Sequence, residues 1–275
     1  MTRVVADTHV HLHPCYDLGG ALATLCANLA RHGEGVRAGF LAERGDYRIF
    51  AALRDGSLLP GGGVAVRPLA EAGALLLESS GRQAYLFCGR QIVTAERIEV
   101  LALGADIDLA DGLPADRVIA AILAADGSPV IGWSPGKWWR SRGRLVGELL
   151  RRGRPGELLL GDTALRPRSS PEPRLMREAR GRGLGVIAGT DALPLPDEER
   201  LLGTYATVFE GTFDRERPLQ SARRLLRSPG ACTGTCGARG TWAASAGRWL
   251  RHARLPRAGS AALRSNGRPS GGLKS

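Results

Sequence analysis

The sequence lacks several features that would place it in a special class of protein. It has no run of about 18 apolar residues, so we expect no transmembrane helix. Its first residues, MTRVVADTHVHLH, lack the apolar stretch of a signal peptide, and we therefore expect a cytoplasmic protein. The five cysteines are an odd number in a chain with no secretory signal, which argues against a disulfide framework.

Acidic residues are absent from the last part of the chain. All 27 lie at or before Glu216, whereas residues 217–275 hold 12 of the 38 lysines and arginines. The net charge of +11 therefore belongs to this tail, and the rest of the chain is close to neutral. Because a basic surface is the electrostatic signature of phosphate binding, we expect nucleic acid to bind only through the tail, if at all.

Residues 228–275 are rich in Gly, Ser, Ala and Arg, with little apolar periodicity beyond a short helix-like segment near residues 242–250. Such a composition buries too little apolar surface to offset chain entropy, so we predict a disordered basic tail after a domain of residues 1–227. Three interpretations stay open: a basic arm that binds RNA, DNA or a membrane, a solvated tail, and an out-of-frame translation of GC-rich DNA after about Arg227.

The first 227 residues alternate strand-like and helix-like segments, which is typical of a mainly parallel sheet. RVVADTHVHLH is predicted as a strand with Val5 and the histidines on one face and Val4, Ala6 and Val10 on the other. Residues 63–104 are predicted as consecutive short strands, and DEERLLGTYATVF as a helix. The expected fold is an α/β, distorted TIM-like barrel.

Polar residues follow the predicted strands, where the rim of a barrel carries function. His9 and His11 end the first strand, and Asp191 ends the last. Two imidazoles two residues apart can hold one cation, and a carboxylate from the opposite side can complete the shell. Other polar residues that follow strands are Glu43, Lys137, Asp162 and Arg166.

These motifs resemble the PHP (polymerase and histidinol phosphatase) superfamily, whose distorted seven-stranded barrels hold up to three metals and hydrolyse phosphoesters. DTHVHLHP is similar to the family's Asp-x-His-x-His motif, which implies that His9 and His11 are metal ligands. GTDALP resembles the closing Asp-x-His motif and retains Asp191. The resemblance covers roughly residues 3–210.

The chain departs from the family at several ligand positions. Glu43 stands at an aspartate, and residues that bind metal poorly or not at all stand at four others: Arg44, Gln91, Leu101 and Leu193. Trp133 lies near a further missing ligand. The resemblance therefore implies one divalent cation, zinc, manganese or iron, held by His9, His11, Asp191 and Glu43 with an open position for water.

The predicted function is metal-assisted hydrolysis of a small-molecule or phosphate-ester substrate, with no membrane partner; the sequence does not indicate the oligomeric state. Asp191 is the expected base or ligand, and four side chains are expected to bind the phosphate: Lys137, Arg140, Arg142 and Arg166. One alternative is a catalytically inactive PHP-like barrel that binds or regulates. Another is an amidohydrolase-like enzyme. Such an enzyme usually needs two further histidines from the middle strands, and the absence of histidine between His32 and His252 counts against it.

Each candidate residue also has a purely structural interpretation. His9 and His11 can be hydrogen-bonded interior histidines, and Asp191 can cap a helix or form a turn. Glu43 can belong to a surface ion-pair cluster, and Asp162 can pair with Arg166 across a turn. The tryptophans at 133, 138 and 139 can cover the barrel mouth or stack on a substrate base.

Overall fold

The computed structural model describes residues 1–45 and 47–255. Its first sheet is mixed and has seven strands, in the spatial order β12-β11-β1-β2-β5-β4-β3. β1 is parallel to β2, and β2 is parallel to β5, whereas the other neighbours are antiparallel. The strands are β1 (Thr2–Val10), β2 (Val36–Leu41), β3 (Val64–Pro68), β4 (Ala74–Ser79), β5 (Arg82–Phe87), β11 (Tyr205–Gly211) and β12 (Cys232–Gly237).

The second sheet has five strands in the order β10-β9-β8-β7-β6. β8, β9 and β10 are mutually parallel, and β7 is antiparallel to both of its neighbours. The strands are β6 (Gly89–Val93), β7 (Glu99–Leu103), β8 (Ser128–Gly132), β9 (Leu159–Thr163) and β10 (Val186–Gly189).

Seven α-helices and one 3₁₀ helix, Glu198–Leu201, are found in the described residues. The longest have 13 residues, and none of the helices in residues 1–45 and 47–255 has the length and apolar character to cross a membrane. They are α1 (Leu18–Ala30), α2 (Ile49–Asp55), α3 (Ala115–Ala124), α4 (Arg140–Arg152), α5 (Arg174–Gly181), α6 (Pro218–Arg227) and α7 (Trp242–Ala253).

The hydrophobic core lies on both sides of each sheet. Between the sheets, Val4 and Ala6 of β1 pack with Leu101 and Val130 of the second sheet, and α6 contributes Leu219 to the same cluster. Outside this interior, α1 covers the first sheet, and α3, α4 and α5 cover the second. Both faces of β1 are therefore buried from Val4 onwards, which explains the consecutive apolar residues Val4, Val5 and Ala6.

The predicted closed barrel is wrong, because the strands form two mixed sheets with no continuous ladder between them. The physical reason is the pairing of β1. One edge of β1 bonds to β2, and the other bonds to the antiparallel strand β11, so no edge remains for a ladder with β10. β11 lies in the segment predicted as a helix, although its alternation of Tyr205, Thr207 and Phe209 is typical of a strand.

The two sheets nevertheless meet at the ends of their strands. Just beyond β2, Glu43 donates its N–H to Gly89 O at 3.1 Å and accepts from Gln91 N at 2.8 Å. Just beyond β10, Asp191 donates its N–H to His9 O at 2.9 Å. These contacts bring polar residues of both sheets to one end of the interior.

The prediction of disorder after Arg227 is wrong for residues 232–253. β12 pairs with β11, and α7 packs against the rest of the fold through Arg248. Residues 256–275, which hold the remainder of the predicted tail, lie outside the described residues. A domain boundary at residue 227 stays a prediction. All five cysteines have free thiols in this structure.

Candidate metal centre

The two histidines reach the interior because β1 contains a β-bulge. The pairing of β1 with β2 shifts register between Asp7 and Val10, where one extra residue is inserted in β1. The bulge reverses the side-chain alternation, so Val10 packs in the same cluster as Val5. The predicted alternation is therefore wrong beyond Asp7, and His9 lies on the interior side, next to Gly132 of β8.

Asp191 approaches the histidines from the turn that follows β10. Its φ is +50°, in the left-handed region that aspartate tolerates better than most residues. The hydrogen bond from Asp191 N to His9 O ties this turn to the end of β1. Gly189, just before the turn, makes the close approach possible, since a Cβ there would lie 2.4 Å from His9 N.

Three potential ligand atoms converge at this point. His9 Nε2 and His11 Nε2 are 3.0 Å apart, and Asp191 Oδ1 lies 3.5 Å from each. All three residues are buried, and within residues 1–45 and 47–255 they form the one His/Cys/Asp/Glu group with this compactness. A fourth polar atom, Gln91 Oε1, is 3.1 Å from His9 Nε2.

The spacing of these atoms fits a divalent cation. The centre of the triangle that the three atoms form lies about 1.9 Å from each of them, close to the bond lengths of about 2.0–2.2 Å for zinc with imidazole and carboxylate. With such bond lengths, neighbouring ligand atoms of a tetrahedral or octahedral ion are about 3.0–3.4 Å apart, close to the separations of 3.0 and 3.5 Å found here. The donor set of two imidazoles and one carboxylate is also typical of zinc, manganese and iron sites.

The protonation states favour metal binding. Burial lowers the pKa of His11 despite its contact with Asp191, so its imidazole is neutral at pH 7. Burial alone would raise the pKa of Asp191, but interactions with the adjacent His9 and His11 imidazoles outweigh burial and lower the pKa to about 2. Neutral imidazole and ionised carboxylate are the forms that bind metals.

The turn that carries Asp191 is held by three side chains. His13 donates from Nε2 to Ala192 O at 3.0 Å, and Tyr16 donates its hydroxyl to Leu193 O at 2.5 Å. Glu198 accepts from Leu193 N at 3.2 Å. His13 therefore supports the site without joining the ligand group.

Glu198 in turn fixes α7 to the fold. Arg248 of α7 donates from Nε to Glu198 Oε1 at 2.8 Å and from Nη2 to Oε2 at 2.6 Å, and both side chains are buried. Arg248 also donates to Ala164 O at 3.3 Å, after β9. Part of the basic tail thus contacts the segment beside the candidate metal centre.

Asp7 organises the other side of the centre. Its carboxylate accepts from the backbone N–H groups of His9, Thr190 and Gly203 and from the Thr190 hydroxyl. Complete burial raises the pKa of Asp7, and these four hydrogen bonds oppose that shift. The aspartate of the DTHVHLHP motif is therefore a support for the backbone and not a metal ligand.

Glu43 lies outside the converging group. Its Oε1 accepts from Phe50 N at 2.8 Å at the start of α2, and its Oε2 is 3.7 Å from Arg90 Nη1. Burial raises the pKa of Glu43, and the bond from Phe50 and the charge of Arg90 oppose the shift. The structure gives this residue the environment of a helix cap and buried ion pair, and its role as a ligand stays a prediction.

Three of the four predicted phosphate-binding residues are engaged by the protein. Lys137 forms an ion pair with Glu99 at 3.3 Å, and Arg142 donates to Gly136 O at 2.8 Å. Arg166 forms a bidentate ion pair with Asp162, with Nε 2.8 Å from Oδ1 and Nη2 2.6 Å from Oδ2, as the structural interpretation of these residues predicts.

Arg140 has no hydrogen-bond or ion-pair partner in the part of the chain that the structure describes, and its side chain is exposed. It lines an open cavity of about 510 Å³, together with Arg166. We call this cavity the Trp–Arg groove. Its tryptophans and arginines are Trp133, Trp138, Trp139, Arg140, Arg144, Arg166 and Arg174.

Sequence reasoning missed several residues around the site. Gln91 stands at a position where the PHP superfamily has a metal ligand. That match could have predicted that Gln91 lies beside His9. Arg144 follows Arg140 by four residues, the spacing of one helix face. The Glu198–Arg248 pair had no sequence signal, because the two residues lie 50 positions apart.

Comparison with known proteins gives a fold and no family. No family model matches the chain, and no curated protein matches it. The crystal structure of PsfC from Pseudomonas syringae PB-5123 is similar, with a TM-score of 0.55 at 16% identity over 92% of this chain and 97% of PsfC. The lesion-specific endonuclease PfuEndoQ from Pyrococcus furiosus is similar with a TM-score of 0.50 at 13% identity.

The PfuEndoQ match covers 86% of this chain but 59% of that protein. At these identities the likeness shows a shared fold alone. Membership of the PHP superfamily stays a prediction from the sequence motifs.

Proposed function

We propose that this chain is a metal-dependent hydrolase that acts on a phosphate ester, with one divalent cation held by His9, His11 and Asp191. The observation that carries the proposal is the convergence of three buried ligand atoms around one point at bonding distance from each. The fold of a lesion-specific endonuclease supports the same class of reaction, since an endonuclease hydrolyses phosphodiesters.

His9, His11 and Asp191 would each have a role that follows from the chemistry of the side chain. A bound divalent cation lowers the pKa of its water and polarises a phosphoryl oxygen. His9 and His11 orient the site through their Nε2 atoms, and three protein ligands leave a position open. The pKa of about 2 makes Asp191 a weak base, so we assign its buried carboxylate as a ligand that would hold the cation.

The second candidate is a PHP-like fold without catalysis. Two of the family's ligand positions are filled by apolar packing: Leu101 lies in the interior cluster, and Leu193 packs with Leu165 and Leu195. These leucines favour a centre with at most one cation. An amidohydrolase-like enzyme fits less well, because no second histidine pair reaches the centre within the described residues.

Metal content of the full chain tests the function. The protein is purified without a histidine tag, incubated with zinc, manganese or iron, desalted and measured by elemental analysis. We expect about one metal ion per chain, lost in the His9→Ala/His11→Ala variant and retained in His252→Ala, which alters an exposed histidine of α7.

Hydrolysis of bis(4-nitrophenyl) phosphate and 4-nitrophenyl phosphate is measured on the same samples. We expect the double variant to lose at least about 100-fold in rate, because a metal ion supplies several kcal/mol of transition-state stabilisation. Absence of metal in the wild-type protein contradicts the proposed centre. Metal without hydrolysis of either ester favours the non-catalytic candidate.

A further inference from the structure

The Trp–Arg groove lies between the first turns of α4 and α5. Arg140 and Arg144 reach it from α4, and Arg174 is the first residue of α5. All three side chains are exposed, and within residues 1–45 and 47–255 none has an ion-pair or hydrogen-bond partner. Other arginines of the same helices do have partners: Arg152 pairs with Asp116 and Arg180 with Glu172.

The surroundings of the groove add to its positive potential. No acidic side chain is found among the described residues that line it. α4 and α5 both begin there without a side-chain cap and without an acidic residue in the first turn. The positive ends of both helix dipoles therefore add to the positive potential there, and no acidic first-turn side chain offsets them.

Aromatic surface accompanies this charge. Trp139 is 72% exposed, and Trp133 lies half-buried in the same groove. An indole that stays in water beside free guanidinium groups offers a face for stacking with another planar ring. The volume of about 510 Å³ lies within the range of sites that hold one small ligand.

The groove adjoins the candidate metal centre. Trp133 follows Gly132, which lies beside His9, and its ring packs against the cluster that contains Leu193. Leu193 is two residues after Asp191, so the same tryptophan borders the groove and the turn that carries a ligand. The groove and this turn are therefore neighbours that meet at Trp133.

We propose that the Trp–Arg groove binds a nucleoside phosphate, with its base on Trp139 and its phosphate on Arg140, Arg144 and Arg174. As an assignment of the substrate class, this rests on the proposed hydrolase. As an assignment of a binding site, it is independent of the metal, because none of the groove residues belongs to the ligand group.

Binding of adenosine 5′-monophosphate to the full chain, measured by calorimetry, tests the proposal. We expect the Arg140→Ala/Arg144→Ala variant to bind about 10- to 100-fold more weakly, since each guanidinium loses a charge-assisted bond to phosphate. Arg151→Ala, an exposed arginine at the other end of α4, is the matched control and should bind as the wild type does.

The aromatic part has its own test. Trp139→Ala should weaken binding of adenosine 5′-monophosphate about 5- to 100-fold and leave binding of ribose 5-phosphate unchanged, because only the former carries a base. Equal losses for both ligands, or equal affinity of the wild type for both, would overturn the assignment of the base to Trp139.

The His9→Ala/His11→Ala variant separates this proposal from the proposed function. It should bind adenosine 5′-monophosphate as tightly as the wild type does, even though it holds no metal. Nucleotide binding in a protein that neither binds metal nor hydrolyses esters leaves the groove assigned and the hydrolase rejected. A wild-type protein that does not bind adenosine 5′-monophosphate at millimolar concentration overturns the groove assignment, whatever its activity.

Discussion

Two cavities of nearly equal volume differ in what their arginines contact. The α2–α6 cavity, lined by Phe50, Ala51, Arg54, Glu71, Cys88, Leu219 and Arg223 among others, has about 530 Å³, and the Trp–Arg groove has about 510 Å³. In the first, Arg54 donates to three backbone carbonyl oxygens, and Arg223 bonds to Gly104 O and Asp126. In the second, three arginines have no protein partner in the described residues.

Volume alone therefore does not distinguish the two cavities, whereas the number of arginines without a protein partner does. An arginine that bonds to carbonyl oxygens stabilises the fold and has few donors left for a ligand. An arginine with all donors in water adds little to stability and can meet an anion at small cost. Substitutions should therefore affect stability in one group of arginines and binding in the other.

Arg166 also lines the Trp–Arg groove, but it has a protein partner, Asp162. Substitution of Asp162 should therefore cause the largest loss of stability. Asp162→Ala leaves the buried guanidinium of Arg166 without its carboxylate and removes the acceptor of the Tyr205 hydroxyl. We expect a loss of about 3–5 kcal/mol in the free energy of unfolding, measured by urea denaturation. The Asp162→Leu/Arg166→Met variant should recover most of it, and a loss below about 1 kcal/mol in the single variant contradicts the rule.

The stability contributed by the histidines near the candidate metal centre should depend on pH, whereas the contribution of the groove arginines should not. Burial lowers the pKa of His13 to about 3, so the unfolded chain takes up a proton below pH 6.5 that the folded chain refuses. Stability of the metal-free protein is therefore complete above pH 6.5 and falls with pH, by about 2 kcal/mol at pH 5 from His13 alone. His11, with its pKa also lowered by burial, acts in the same direction.

Urea denaturation between pH 7.5 and 5 measures this dependence. His13→Gln should reduce the slope of stability against pH, whereas Arg140→Ala/Arg144→Ala should retain it, because arginines stay charged over this range. An unchanged slope in His13→Gln would show that His13 is not the buried neutral imidazole described above.

The smallest expected effect is the difference in stability between substitutions of one arginine from each cavity. Arg223→Ala should lower the free energy of unfolding by about 1–3 kcal/mol, since Gly104 O loses two charged donors, and should leave adenosine 5′-monophosphate binding unchanged. Arg144→Ala should change stability by less than about 0.5 kcal/mol. Thermal and urea unfolding of both variants measure the difference, and the reverse order of stabilities contradicts the comparison.

The sequence by itself determined the α/β class and indicated the three candidate ligands whose side chains converge, His9, His11 and Asp191. Strand and helix periodicities are local, so alternating segments such as those around α3, β8 and α4 are visible without a structure. His9, His11 and Asp191 were identifiable because each stands at the end of a predicted strand and matches a family motif. Glu43 has the same position at a strand end, and yet its carboxylate contacts Phe50 and Arg90 instead.

Only the tertiary structure decided how the strands close and which charges are paired. β11 occupies the edge of β1 that a barrel would need, and a one-residue bulge turns His9 to the interior. The sequence indicates a short helix around Arg248, but only the structure shows that this arginine pairs with Glu198, 50 residues earlier. Strand partners and ion pairs depend on contacts between distant residues, which no local pattern in the sequence specifies.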